Sequence, residues 1–253
     1  MSRQRLGQHF LAKGSILERI ARAACPDREP LVIEIGPGRG ALTEKLLEKA
    51  DRVVAIELDS DLVEVLRDKF RDEPRLTLIH ADVLDTDLGE WGPAAVAGNL
   101  PYYAATPIIE KTLSTSASLE RAVFLVQKEV AARLAARPGT RDYGYLSVQT
   151  QLLADVEALF DVRPSAFRPP PKVDSTVIRL GARNRASELR IKDTARFLNF
   201  LKLCFHQKRK TLRNNLAGEY GKGALNGRPE AGKRAEQLTL GEFAELYLRL
   251  VPS

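Results

Sequence analysis

Short apolar runs separated by amphipathic stretches recur through the first 180 residues. Leu31 to Ile35, Val53 to Glu57, Leu76 to His80, Ala94 to Ala97, Ala122 to Val126, Val156 to Phe160 and Thr176 to Leu180 each read as a strand. After the first of them, Leu42, Leu46 and Leu47 fall on one helical face; after the second, Leu62, Leu66 and Phe70 do the same behind a cap from Asp59 or Ser60. Past residue 180 the period changes. Thr194 to Phe205, with apolar Phe197, Leu198, Leu201 and Phe205, then Lys208 to Leu216, then Leu240 to Leu250 all read as helices. The pattern predicts a doubly wound, mostly parallel sheet of about seven strands in residues 1–180 and a small helical domain in residues 181–253.

Open α/β sheets bind ligands beyond the carboxyl ends of their strands, so the residues at those ends carry the chemistry. The first strand runs into Gly36-Pro37-Gly38-Arg39-Gly40, where glycine permits a sharp turn and lets a ligand approach the main chain. The spacing is G-x-G-x-G, not the G-x-G-x-x-G of a pyrophosphate site, and Glu34 just before it would repel phosphate. That acid can organise the loop or attract an ammonium group. A small zwitterion such as the methionine part of S-adenosylmethionine suits the loop better than a dinucleotide does. Glu57 ends the second strand 21 residues beyond Gly36, the distance at which βαβ nucleotide sites set an acid on the ribose hydroxyls. Asp82, just past the third strand, can accept from an adenine amino group.

Asn99-Leu100-Pro101-Tyr102 follows the fourth strand. A side-chain amide oxygen and a backbone carbonyl stiffened by proline can accept both hydrogens of an exocyclic amine, while a tyrosine offers its face to a flat ring. Such a site can hold a nucleobase amino group, favour a more tetrahedral nitrogen and aim its lone pair at a methyl donor. Phe167, ahead of Pro169-Pro170-Pro171, would then stack on the other base face. Taken alone, it reads equally well as a staple packing a proline-rich linker.

Composition narrows the class. The 253 residues are 44% hydrophobic, enough for one large domain and a small one, and no apolar run approaches the roughly 20 residues needed to cross a bilayer. Two cysteines, Cys25 and Cys204, and three histidines, His9, His80 and His206, give neither a disulfide framework nor metal spacing, so we expect a reduced, cytoplasmic protein without a metal. Residues 1–180 carry 24 Lys and Arg against 26 Asp and Glu, whereas residues 181–253 carry 15 against 7. A basic helical tail attached to a base-binding domain reads as a platform for RNA phosphates.

The chain resembles the S-adenosylmethionine-dependent N6-adenine methyltransferases, and within them the small-subunit (16S-type) ribosomal RNA adenine dimethyltransferases. The resemblance runs nearly end to end. It rests on Leu6 to Leu11, Glu34 to Gly40, Glu57 to Asp59, Ala81 to Leu84, Asn99 to Tyr102, Val126 to Val130, Tyr143 to Ser147, Phe167 to Ser175, Gln207 to Leu216 and Arg234 to Leu238. It implies a Rossmann-like class I methyltransferase fold with a small C-terminal helical domain. It implies that His9, Leu11, Gly36, Glu57, Asp82 and Asn99 hold the cofactor, although many members have Asn where this chain has His9. It further implies dimethylation of two adjacent adenosines near the 3′ end of small-subunit ribosomal RNA, in subunit maturation, by a monomer whose partner is the 30S particle. Two alternatives stand beside it: a large-subunit (23S) ribosomal RNA methyltransferase of the antibiotic-resistance type, and a non-catalytic RNA-binding assembly or transcription factor. The segments Phe167 to Ser175 and Gln207 to Leu216 fit the small-subunit group better.

Overall fold

The computed structural model describes residues 9–115 and 119–251. Leu6, Gly7 and Gln8 of the opening motif lie outside the described residues. Two compact units divide the chain: Met1–Ala131 with Val156–Ala182, and Ala132–Asp155 with Arg183–Ser253. A single cut near residue 180 differs from this division in one respect, because residues 132–155 group with the tail.

In the first unit the chain runs β1 (Phe10–Leu11), α1 (Gly14–Ala24), β2 (Val32–Ile35), α2 (Ala41–Leu47), β3 (Val53–Glu57), α3 (Ser60–Lys69) and β4 (Leu76–His80). It continues through β5 (Ala94–Asn99), α4 (Ala105–Ser114) and β6 (Leu119–Gln127), and α5 (Lys128–Leu134) crosses into the second unit. After α6 (Tyr145–Leu153) come β7 (Ala154–Val162), β8 (Phe167–Arg168) and β9 (Ser175–Ala182). Seven strands form one sheet in the order β4-β3-β2-β5-β6-β9-β7. From β4 to β6 every pair is parallel, and β9 runs antiparallel to β6. All seven expected strands are present, with the same limits at β3 and β4 and longer ends at β5, β6, β7 and β9.

Side chains alternate across a strand, so Val32, Val53, Ala95, Ala97, Val123, Leu125 and Val177 share one sheet face. They form a core with Leu17, Ile20, Ala21 and Ala24 of α1 and Leu42, Leu46 and Leu47 of α2. Asp59, not Ser60, caps α3 by accepting from the Asp61 N–H at 3.0 Å. A second, two-stranded sheet pairs β1 with β8 antiparallel, Phe10 opposite Arg168 and Leu11 opposite Phe167.

The second unit is helical, with α6, α7 (Thr194–Cys204), α8 (Leu212–Tyr220) and α9 (Leu240–Leu250). Phe197, Phe200 and Tyr247 interlock at its centre with ring centroids 5.1–6.3 Å apart. The expected helix Lys208 to Leu216 is corrected: helix begins only at Leu212, and 207–210 is a turn closed by the Lys210 N–H on the Gln207 carbonyl at 3.0 Å. Asn215 causes this. Its amide donates to the Cys204 and Gln207 carbonyls and accepts from the Gln207 N–H, offering that backbone partners that a helix would otherwise supply.

Candidate active site

Sequence order along the sheet reverses between β2 and β5, and there the carboxyl ends of β2, β3 and β5, with the turn after β4, open on a cleft of about 250 Å³. Gly36, Glu57, Asp82, Asn99, Leu100 and Tyr102 all line it, with His9 and Leu11 of the β1 segment.

Gly36, Gly38 and Gly40 have φ of +67°, +60° and +75°, backbone that side-chain-bearing residues rarely adopt. A side chain added at Gly36 would meet nothing within 4 Å, so this part of the loop offers open main chain to a ligand. Glu57 fixes the loop from below. One of its carboxylate oxygens accepts from the Gly38 N–H and the other from the Asp59 N–H, both at 3.0 Å. Each oxygen keeps a further lone pair, enough for two cis hydroxyls. Burial pushes the Glu57 carboxyl up from its ordinary value, and the backbone N–H groups around it act in the opposite sense.

Glu34 takes the loop-organising role rather than the ammonium-attracting one. Its side chain is 1% exposed and accepts from the Thr43 hydroxyl in the first turn of α2 at 2.6 Å. Burial pushes its carboxyl up to about 8, so at neutral pH it offers little charge to a cation. Asp82 bends the turn after β4, accepting from the Leu84 N–H at 2.9 Å on one carboxylate oxygen.

Gly98 precedes Asn99 because nothing larger fits: a Cβ there would lie 2.6 Å from the Ile35 carbonyl oxygen. That close approach sets the end of β5 beside the end of β2, where the glycine loop begins. The Asn99 amide nitrogen then donates to the His9 carbonyl at 3.1 Å. A carbonyl can only accept, so this bond determines which way the amide faces and leaves its oxygen unspent in a residue that lines the cleft. The Leu100 N–H is spent on the Leu125 carbonyl at 3.1 Å, which fixes the peptide that follows. Tyr102 is half-buried, and its hydroxyl bonds the Ser175 hydroxyl at 2.8 Å, so the ring cannot swing away. His9 bonds the Pro169 carbonyl through Nδ1 at 2.8 Å and sets its ring 5.7 Å from that of Tyr102. The carbonyl only accepts, so Nδ1 carries the proton.

Phe167 is a correction. Its side chain is 0% exposed in the core with Leu11 and Leu17, and it does not line the cleft. Pairing of β8 with β1 turns the ring inward, so it packs that pair onto the sheet and offers no face to a base.

Sequence reasoning passed over Phe10, Arg39, Leu58, Leu84 and Tyr103, all of which line the cleft. Arg39 stacks over the Phe10 ring at 5.0 Å, and Leu58 and Leu84 are unusually exposed for leucines, at 51% and 38%. For these two leucines the signal was positional: Leu58 follows Glu57 directly and Leu84 lies two residues past Asp82. Among the described residues no group of three or more His, Cys, Asp and Glu could hold a metal ion, and no helix is long and apolar enough to cross a membrane.

The family model described as ribosomal RNA adenine dimethylase matches residues 1–250. The chain belongs to that family. This enzyme therefore uses S-adenosylmethionine to dimethylate adenine in ribosomal RNA. It is 45% identical to the ribosomal RNA small subunit methyltransferase A of Acidobacterium capsulatum, across 97% of this chain and 90% of the relative. Among solved structures it resembles a dimethyladenosine transferase from Plasmodium falciparum, with TM-score 0.81 and 27% identity, covering 95% of this chain and 96% of that one. It also resembles the 23S rRNA methyltransferase ErmE, with TM-score 0.70 and 29% identity, covering 95% and 99%. The shared fold is the Rossmann-like methyltransferase fold that the family resemblance implied, and its sheet is the doubly wound one expected from the strand pattern.

Proposed function

We propose that the enzyme transfers two methyl groups to N6 of each of two adjacent adenosines near the 3′ end of small-subunit ribosomal RNA. The observation that carries the chemistry is the Asn99 amide held by the His9 carbonyl, which leaves the amide oxygen free for the target amine. When bound, S-adenosylmethionine supplies an electrophilic sulfonium methyl. His9, the Leu11 main chain and Gly36 border its methionine part, Glu57 takes the ribose hydroxyls, Asp82 takes the adenine amine, and Leu58 and Leu84 cover apolar ring surface.

The Asn99 side-chain oxygen and the Leu100 carbonyl accept the two amino hydrogens of the extruded adenine, and Pro101 keeps that peptide stiff. Tyr102 stacks on the base. Holding both hydrogens favours a tetrahedral nitrogen whose lone pair points at the methyl, so positioning and electrostatics carry the rate without a strong base. The enzyme works in the cytoplasm as a monomer on the small ribosomal particle.

The small-subunit reading is favoured over the large-subunit one by the higher identity to relatives named for the small subunit than to the large-subunit structure, 45% against 29%. A wholly non-catalytic role would leave the half-buried Asn99–His9 and Tyr102–Ser175 arrangement without a use. The decisive experiment incubates purified enzyme and labelled methyl donor with unmethylated small subunits and, separately, large subunits. Label recovered as N6,N6-dimethyladenosine from the small subunit alone supports the proposal, and label in the large subunit overturns it.

A further inference from the structure

Burial of Phe167 leaves one side of the substrate without the aromatic partner that sequence assigned to it. Among the described residues, four rings line the cleft: His9, Phe10, Tyr102 and Tyr103. Three are engaged. Phe10 lies under Arg39 and against Gly38, His9 is tied to the Pro169 carbonyl, and Tyr102 is tied to Ser175. Tyr103 is 63% exposed and, among the described residues, makes no side-chain hydrogen bond or ring contact.

Its place in the chain explains this. β5 ends at Asn99, and residues 102–104 form a turn ahead of α4, in which adjacent side chains diverge. Tyr102 turns in to Ser175, and its neighbour turns out at the mouth of the cleft. A scattered exposed aromatic needs no explanation, but this one stands one residue from the ring on which the target base is read. Extrusion of a base strips its neighbours of a stacking partner, and an exposed flat ring beside the entrance can replace it.

We infer that Tyr103 binds substrate by stacking on the purine that flanks the extruded adenosine. This rests on the proposed reading of the cleft as an adenosine site. Stacking uses the face of the ring and not the hydroxyl, which sets how substitutions should rank. With unmethylated small subunits as substrate, Y103A should lower kcat/KM by about 5-fold to 150-fold, the range of one base–aromatic stack. Y103F and Y103W should return it to within about threefold of wild type, because both keep a stacking face. Cofactor affinity by calorimetry and the melting temperature should stay at wild-type values in all three, since an unpartnered exposed ring supports nothing in the fold.

A purely structural role would instead lower the melting temperature of Y103A, and that result would overturn the inference. So would a Y103A enzyme as active as wild type, or a Y103F enzyme as slow as Y103A, which would mean a hydroxyl contact. Failure of the underlying reading looks different: wild-type enzyme itself would transfer no methyl to small subunits.

Discussion

Asn99 shows how a single side chain is made useful by a neighbour distant in sequence. Its amide oxygen is available only because its nitrogen is spent on the His9 carbonyl, 90 residues away in the chain. The contact with substrate matters most in the transition state, so Asn99→Ala should keep cofactor affinity within about tenfold yet lose at least about a hundredfold in kcat. Calorimetry with single-turnover kinetics checks both halves. Glu34 gives a prediction in pH. Its carboxyl titrates near 4.5 in the unfolded chain and at about 8 when folded, so between these values the folded state holds more protons. Stability therefore falls as pH rises through that window. Glu34→Gln removes the effect, so its melting temperature relative to wild type should climb progressively from pH 5 to pH 8. A difference independent of pH would mean that Glu34 is ionised throughout.

At the scale of elements, the two-residue strands β1 and β8 have an influence out of proportion to their length. Their pairing draws residues 9–11 over the cleft, and the Ala12 N–H on the Ala166 carbonyl at 2.9 Å continues it. Phe167 is the apolar anchor of this pair. Phe167→Ala should destabilise the protein by about 3 to 5 kcal/mol through the cavity it leaves, while enzyme that remains folded keeps its catalytic rate. Chemical denaturation checks the first, and turnover per folded molecule checks the second. A stable variant with impaired turnover would restore the stacking role. The sequence pattern marked the ring as special but could not choose between the two roles, because burial depends on a strand partner more than 150 residues upstream.

Across the whole molecule, charge separates along the chain, with the basic surplus in residues 181–253. The second unit refines that picture. Lys208 donates to the Arg141 carbonyl at 2.7 Å, the Gly139 N–H to the Glu236 carbonyl at 2.7 Å, and the Leu212 N–H to the Lys233 carbonyl at 2.8 Å, so three distant segments meet. All four basic side chains Lys208, Arg209, Lys210 and Arg213 are exposed, but Lys208 alone is tied to that backbone carbonyl and acts as a brace. Replacing those three with glutamine should flatten the dependence of log affinity for small-subunit RNA on log salt by up to about three units. Lys208→Gln should leave the slope nearly unchanged and lower thermal stability. Binding measured over a salt series, beside melting curves, tells the two apart. Equal slopes in both variants and wild type would place the RNA footprint elsewhere.

The seven strands, the glycine loop and the acids and amide at the strand ends were legible in the amino-acid order alone, because period, strand-end position and residue chemistry are local properties. That order also carried the family and hence the reaction. What each of those residues is free to do came from its packing in three dimensions. Glu34 became a buried prop, Phe167 a core residue, Lys208 a brace and the 207–210 segment a turn, each through a partner between 8 and more than 150 residues away in the chain. Hydrogen-bond satisfaction and burial are settled by such partners, and the hydrophobic pattern does not say which of them a side chain will meet.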